Sequence, residues 1–273
     1  VKKLQVSEKY LAKTQDLKAK IRRIHMMPLH SILDEYVAIE GEIIMLKSEI
    51  ENNGIDHSGL SYFALGSAYY DLKKIPKALS YFRLAEKKGW QSKALSTGIG
   101  LSLLANWRAD QAQAKLISNV DEKNVFLEES KEKNYFPAIS YLTEAKKGAT
   151  DVNYLAAKLA FLEEKFDDAL EYAQAEIKQN PWHYEALNLS SQIYLEQFRR
   201  QGRAQGYDVA LKTLELSNQQ LDKAINIGRS DPYNYISRCT NASIDVQIIK
   251  LLKLDEKFMS SFEKGVDACL NAQ

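Results

Sequence analysis

The segment from Gly59 to Gly89 contains two short amphipathic helices, and its pattern constrains how the whole chain can fold. Small residues stand at Gly66 and Ala78, where two helix backbones can approach closely. Large apolar residues fill the spaces beside them: Tyr62, Leu65, Tyr69 and Phe82. Gly66 and Ala78 recur 34 residues later as Gly100 and Ala112. This period predicts stacked helix pairs, because one pair alone cannot bury its apolar face.

The composition agrees with a helical protein that carries no strong overall charge. Apolar residues make up 45% of the 273 residues, and only 12 Gly and 5 Pro interrupt the runs of good helix formers. The net charge is +1, from 37 basic and 36 acidic residues, so we expect no nucleic-acid partner. Apolar runs stay shorter than about 18 residues, so we expect no membrane span within the chain.

The period and its alternation of small and large residues resemble the tetratricopeptide (TPR) repeat. The resemblance implies an all-α fold, a right-handed superhelix of antiparallel helix pairs. A linker helix and a capping hairpin occupy residues 1–54, and the TPR-like array occupies 55–273. Its units are expected at about 59–92, 93–148, 150–183, 184–230 and 231–273. The array is irregular in the middle, because residues 136–148 copy a second helix without an obvious first one, and residues 199–208 form an insertion.

In TPR proteins, fixed positions on the first helix of each pair line the concave face. Carried over to this chain, the resemblance gives these candidates for peptide contact: Phe63, Ser67, Tyr70, Tyr154, Lys158, Phe161, Asn188 and Gln192. The aromatic ones could instead pack between helices, because a frame error of one residue rotates a helical position by about 100°. Phe63 and Ser67 stand where chaperone-tail clamps have Lys and Asn, which argues against that ligand.

Four stretches resemble the C-terminal TPR region of bacterial serine/threonine protein kinases. They are residues 23–32 (RIHMMPLHSI), 57–72 (HSGLSYFALGSAYYDL), 180–189 (NPWHYEALNL) and 223–235 (KAINIGRSDPYNY). The resemblance implies a regulatory or sensor region, with a kinase domain and often a membrane span upstream. The region then lies outside the cytoplasm, or in it where the span is absent. The kinase motifs themselves are missing from these 273 residues.

No pattern typical of a catalytic or metal site stands out in the sequence. His25 and His30 do not have the spacing of a helical zinc site, and no nucleophile motif lies near a histidine. We therefore expect a non-catalytic scaffold for a protein or peptide, with no metal and no cofactor. The alternatives are a small-molecule or glycan sensor with a pocket in residues 118–148 and 199–208, and a hydrolase with an unrecognised site. Self-association is also open, because solenoid ends need covering.

The two cysteines fall in the last predicted helix pair. If that pair turns near residue 254, Cys239 and Cys269 lie about equally far from the turn on adjacent antiparallel helices. In an oxidising compartment they could form a disulfide, and in the cytoplasm they would be two small buried thiols.

Overall fold

The computed structural model describes residues 2–52, 58–147, 152–253 and 259–271. These residues form thirteen α-helices and one π-helical turn at Lys131–Tyr135, and they contain no strand. The helices are α1 (Lys2–Met26), α2 (Leu33–Asn52), α3 (Gly59–Asp71), α4 (Ile75–Lys87), α5 (Lys93–Ala114), α6 (Val120–Ser130), α7 (Phe136–Lys146), α8 (Val152–Leu162), α9 (Phe166–Gln179), α10 (Tyr184–Gln205), α11 (Tyr207–Ile227), α12 (Pro232–Leu252) and α13 (Met259–Asn271). The expectation of an all-α, helical-repeat fold is confirmed.

The chain divides into two compact units. The first contains Val1–Ile24 and Ile32–Val152, and the second contains His25–Ser31 and Asn153–Gln273. The proposed boundary near residue 54 stays a prediction, and residues 53–57 lie outside the described ones.

In the first unit, α1 and α2 form an antiparallel hairpin. Two ion pairs show its register: Lys13 Nζ lies 2.8 Å from Glu49 Oε2, and Lys20 Nζ lies 2.8 Å from Glu42 Oε2. Residues later in α1 therefore contact residues earlier in α2, as expected for antiparallel helices. Apolar residues supply most of the buried positions: Tyr10, Leu17, Ile21, Ile39, Ile43, Leu46 and Ile50.

The pair α3 and α4 has the packing that its small residues predict. Phe82 of α4 is 2% exposed and lies between two glycines. A Cβ atom built at Gly66 of α3 would lie 2.5 Å from the Phe82 ring, and one at Gly98 of α5 would lie 2.6 Å from it. Both distances are shorter than carbon atoms can approach, so the ring occupies space that only glycine leaves open. The turn between the helices includes Lys73, which has a positive φ of 59°.

The irregular middle is a helix pair whose two members are separated by inserted structure. The partner of α5 is α7, because Leu142 of α7 fills the space at Gly100 as Phe82 does at Gly66. Helix α6 and the π-helical turn lie between them in sequence. Asp110 ties this insertion to α5, since its Oδ2 atom accepts hydrogen bonds from Asn134 Nδ2 at 2.8 Å and from the Ser130 hydroxyl. Helix α5 itself continues to Ala114.

In the second unit, α8, α9 and α10 share one apolar core. Its buried members are Ala157, Ala160, Ala169, Ala173, Leu189 and Ile193. A second core joins α10, α11 and α12 through Leu195, Phe198, Ala210, Leu214 and Ile248. The segment expected to be an insertion, residues 199–208, is mostly helical: α10 continues to Gln205, and only Gly206, with φ of 101°, breaks the helix before α11.

The last pair, α12 and α13, is joined by a disulfide and packs beside a buried polar network. Cys239 and Cys269 are bonded, with their Cα atoms 4.7 Å apart. Arg238 is 1% exposed and lies 3.3 Å from Asp222 of α11 and 3.5 Å from Asp245 of its own helix. Both carboxylate oxygens of Asp245 also accept from Asn218 Nδ2 at 3.2 Å. The contact between α11 and α12 therefore combines this polar network with the apolar core that contains Leu214 and Ile248.

Candidate peptide-binding face

The first helices of the pairs in the second unit, α8, α10 and α12, lie side by side. Leu189 and Ile193 of α10 pack against the alanines of α8 in the shared core. On its other side, α10 is joined to α12, since Asn188 Nδ2 donates to Asn234 Oδ1 at 3.1 Å and to Ser237 Oγ at 3.3 Å. These three helices form one surface, called here the first-helix face.

On α8, this face carries an aromatic ring with a cation above it. Lys158 Nζ lies 4.7 Å from the centre of the Tyr154 ring, a cation–π contact. The Tyr154 ring also lies 4.6 Å from that of His183, which precedes α10. His183 is held by carboxylates, with Nδ1 at 2.7 Å from Glu176 Oε1 and Nε2 at 3.8 Å from Glu185 Oε2. The half-buried Tyr154 is thus fixed from two directions.

On α10, a hydrogen-bonded chain of side chains reaches across to α12. Gln192 Nε2 donates to Asn188 Oδ1 at 2.8 Å and to the Tyr233 hydroxyl at 3.1 Å. Gln192 is half-buried and Tyr233 is 44% exposed, so both reach the surface. Asn188 is only 1% exposed. Asn188, one of the predicted contact residues, thus lies beneath Gln192 and orients it.

Phe161 is the third α8 candidate, and it packs between helices more than it faces outward. It contacts the shared core of α8, α9 and α10, and its ring lies 5.8 Å from that of Phe166. The guanidinium of Arg200 lies 4.4 Å from the Phe166 ring centre on the other side. The packing alternative left open for the aromatic candidates thus describes Phe161.

The candidates of the first unit lie together on α3 but carry no comparable network. Phe63 turns toward the core, with its ring 6.0 Å from that of Phe82. The Ser67 hydroxyl donates to the backbone oxygen of Phe63 at 3.0 Å, within its own helix. Lys73 Nζ lies 5.9 Å from the Tyr70 ring. All three are half-buried, and these contacts are local to α3 and its neighbour α4.

Two residues of the first-helix face were not predicted from sequence: Tyr233 and His183. The signal for Tyr233 was present, because counting the same repeat positions from the start of α12 reaches it as the equivalent of Glu185 on α10. His183 had no such signal, since it precedes its helix and its contact depends on how α8 packs beside α10.

Two clefts lie away from this face. One, of about 470 Å³, lies by the turn between α8 and α9 and includes two residues of the expected insertion; its lining is Glu164, Lys165, Phe166, Asp167, Asp168, Gln197, Arg200 and Gln201. The other, of about 510 Å³, lies along α1 and α2. Among the described residues, no group of His, Cys, Asp or Glu is placed to hold a metal ion. In that same part of the chain, no helix is both long and apolar enough to cross a bilayer.

Comparisons with solved structures give a likeness to TPR proteins. No protein-family model and no curated protein matches the chain. The crystal structure of YrrB, a TPR protein with an unusual peptide-binding site, overlaps with a TM-score of 0.37 at 18% identity, over 72% of this chain and 81% of that one. The APC/C hetero-tetramer Cut9–Hcn1 overlaps with a TM-score of 0.37 at 12% identity, over 82% of this chain and 45% of that one.

Proposed function

We propose that this chain is a non-catalytic helical-repeat scaffold that binds a protein or peptide segment along the first-helix face of its second unit. The observation that supports this most directly is the placement of Gln192. Its amide is held between a buried asparagine and a surface tyrosine at a point where α8, α10 and α12 lie side by side. A fixed polar group on a surface loses little conformational freedom when a ligand binds, which favours affinity.

The chemistry of the face suits an extended peptide. Gln192 donates its two Nε2 hydrogens to Asn188 and Tyr233, so a peptide N–H would bond it through the acceptor of the amide, the side-chain oxygen. Tyr154 and Tyr233 offer aromatic surface with a polar tip, the combination that binding interfaces favour. Lys158 adds a positive charge above Tyr154, which suits an acidic side chain of the ligand.

We also propose that the chain is the regulatory region of a bacterial serine/threonine kinase. The resemblance supports this, and three of its four stretches meet in the second unit. His25 Nδ1 lies 2.9 Å from the Tyr184 hydroxyl, and the His25 backbone oxygen accepts from Ser230 N at 2.8 Å. The test is the reading frame upstream of the Val1 codon, which should encode kinase motifs. An upstream frame without them would contradict this context and leave the peptide proposal standing.

The binding proposal is tested with a matched pair of glutamine variants on one helix. Gln192→Ala removes the amide from the face, whereas Gln197→Ala removes a glutamine of α10 that bonds Asp167 at 2.9 Å, away from the face. Peptides selected from a random library on the wild-type chain serve as probes, and fluorescence anisotropy measures their affinity. We expect Gln192→Ala to weaken binding about 5- to 10-fold, as for one lost hydrogen bond, and Gln197→Ala to leave it unchanged.

Tyr154→Ala and Tyr233→Phe complete the set. Tyr154→Ala should weaken peptide binding by at least about tenfold, because the aromatic contact is lost. Tyr233→Phe should weaken binding only mildly, because it removes only the hydroxyl that holds Gln192. Circular dichroism melts check that every variant folds. Selected peptides that bind all three face variants as tightly as wild type would contradict the proposed site.

A further inference from the structure

Helix α2 is apolar on its outer side as well as on its buried side. The inner side buries Ile39, Ile43, Leu46 and Ile50. On the outer side, Val37, Ile44 and Met45 are 63%, 54% and 69% exposed. Together with Ala38 and Gly41, these residues form what we call the α2 strip. A soluble helix normally places charged or polar residues on its outer face, so an apolar strip there indicates a contact surface.

The charged residues of α2 lie at the edges of the strip. Glu40 is held on one edge, 3.3 Å from Lys74 and 3.1 Å from Lys77 of α4. Glu42 is held on the other edge by Lys20 of α1 at 2.8 Å. Because each carboxylate already has a cation from the same unit, the strip between them stays free of charge.

The centre of the strip is open enough for another backbone to approach. A Cβ atom built at Gly41 would meet nothing within 4 Å, unlike those at Gly66, Gly98 and Gly100. Inside the molecule, then, no packing contact requires this glycine. A glycine in a helix interior destabilises it by about 0.5–1 kcal/mol relative to alanine, and the close approach of a second backbone is a contact for which glycine is suited.

The strip is complementary to itself when two copies run in opposite directions. With Gly41 at the crossing, the helical repeat brings Val37 beside Ile44 of the second copy, and Ala38 beside Met45. Asp34, at one end of the strip, then lies opposite Ser48 of the second copy. Ser48 Oγ accepts from Asn52 at 2.9 Å, so its own hydrogen can be donated to that carboxylate. Parallel copies would instead place Asp34 against Asp34, with like charges in contact.

We propose that the α2 strip is a homodimer interface, in which two α2 helices cross antiparallel at Gly41 about a twofold axis. Twofold dimers use the same patch on both copies, as this strip allows. From Leu33 to Ser48 the helix is about 24 Å long. Such a surface falls below the roughly 1,600 Å² of a standard interface, so we expect a weak dimer with a Kd of about 10–100 µM.

Sedimentation equilibrium of the whole chain, from low micromolar to near-millimolar concentration, measures the dimer. Ala38→Glu and Met45→Lys should each raise Kd at least about tenfold, because each places an unpaired charge in the strip. The double variant, Ala38→Glu with Met45→Lys, should return toward the wild-type Kd, because the two new charges face each other across an antiparallel crossing. In one chain they are seven residues apart and do not pair.

A cysteine at the crossing gives an independent readout. Gly41→Cys should form a disulfide-linked dimer under mild oxidation, whereas Leu116→Cys, on a position that is 83% exposed, should not. A wild-type chain that stays monomeric at every concentration would leave the strip to some other protein and overturn the proposal. A dimer that tolerates Ala38→Glu, or a double variant that fails to recover, would overturn this interface or its antiparallel register.

Discussion

At the scale of single residues, small side chains at helix contacts tell more about the fold than residues of catalytic types tell about a site. Gly66, Gly98 and Gly100 each leave space for a ring or a leucine from the facing helix, and sequence spacing located Gly66 and Gly100 correctly. Ala112 shared the spacing but is exposed at the end of α5, so its match was accidental. The true equivalent of Ala78 is Ala138, and both are fully buried. The 34-residue spacing alone cannot separate the accidental match from the true one, because residues inserted between two helices shift all later positions.

Gly66→Ala should destabilise the fold. Alanine favours a helix, but its Cβ would lie 2.5 Å from the Phe82 ring, which Gly98 borders on the other side and which cannot move away. We expect a net loss of about 1–3 kcal/mol in the free energy of unfolding. Gly41→Ala is the matched control and should stabilise by about 0.5–1 kcal/mol, since nothing opposes its methyl group. Urea denaturation at low protein concentration measures both, and equal effects would contradict the packing described.

A second residue-scale prediction concerns pH. Hydrogen bonds, first from Lys77 and then from Lys74, lower the pKa of Glu40 from its ordinary value of 4.5. A carboxyl with a lowered pKa in the folded state stabilises the protein above the unfolded value and loses that contribution as pH falls through the folded one. The wild type should therefore lose slightly more stability than Glu40→Gln between about pH 5 and pH 3. Chemical denaturation at both pH values tests this; parallel losses would show that the ion pairs contribute nothing.

At the scale of elements, the sequence predicted pairs that are consecutive and missed the pair that is interrupted. Helices α3 and α4 were found because only residues 72–74 separate them, so Gly66 and Phe82 lie in consecutive helices. The contact of α5 with α7 crosses α6 and a π-helical turn, so the sequence showed residues 136–148 as a second-helix copy but did not identify α5 as its partner. The site shows the same limit. The repeat positions of TPR proteins led to Gln192, which lies on the face. They also led to Asn188, which is buried because α12 packs against it.

The element with the most direct chemical test is the pair α12 and α13. Reduction of the bond between Cys239 and Cys269 should lower stability by about 2–4 kcal/mol, because it releases a constraint that spans a sequence separation of 30. Thiol titration of unreduced, denatured protein should find no free cysteine. The variant with both cysteines changed to Ser should melt like the reduced wild type. Two titratable thiols in protein from an oxidising compartment would mean that the bond does not form.

At the scale of the whole molecule, the second unit is built from distant parts of the sequence. Residues 25–31 belong to the second unit, although more than a hundred residues separate them from Asn153. His25 is 3% exposed; its Nδ1 lies 2.9 Å from the Tyr184 hydroxyl and 3.4 Å from Asp231 Oδ2. Asp231 also accepts from Tyr233 N at 2.9 Å at the start of α12. No local pattern predicts these contacts, because they join residues far apart in the chain.

His25→Ala should therefore weaken the second unit as a whole. The change leaves the Tyr184 hydroxyl and the Asp231 carboxylate buried without the imidazole, and it opens a cavity, so we expect a loss of about 2–4 kcal/mol in the free energy of unfolding. His30→Ala is the control: His30 contacts the same loop, with Nδ1 3.0 Å from Ser230 Oγ, but is only half-buried and should cost less than about 1 kcal/mol. Hydrogen exchange should locate the His25→Ala loss at the starts of α10 and α12. Exchange that rises in α3 and α4 instead would show that His25 supports the first unit.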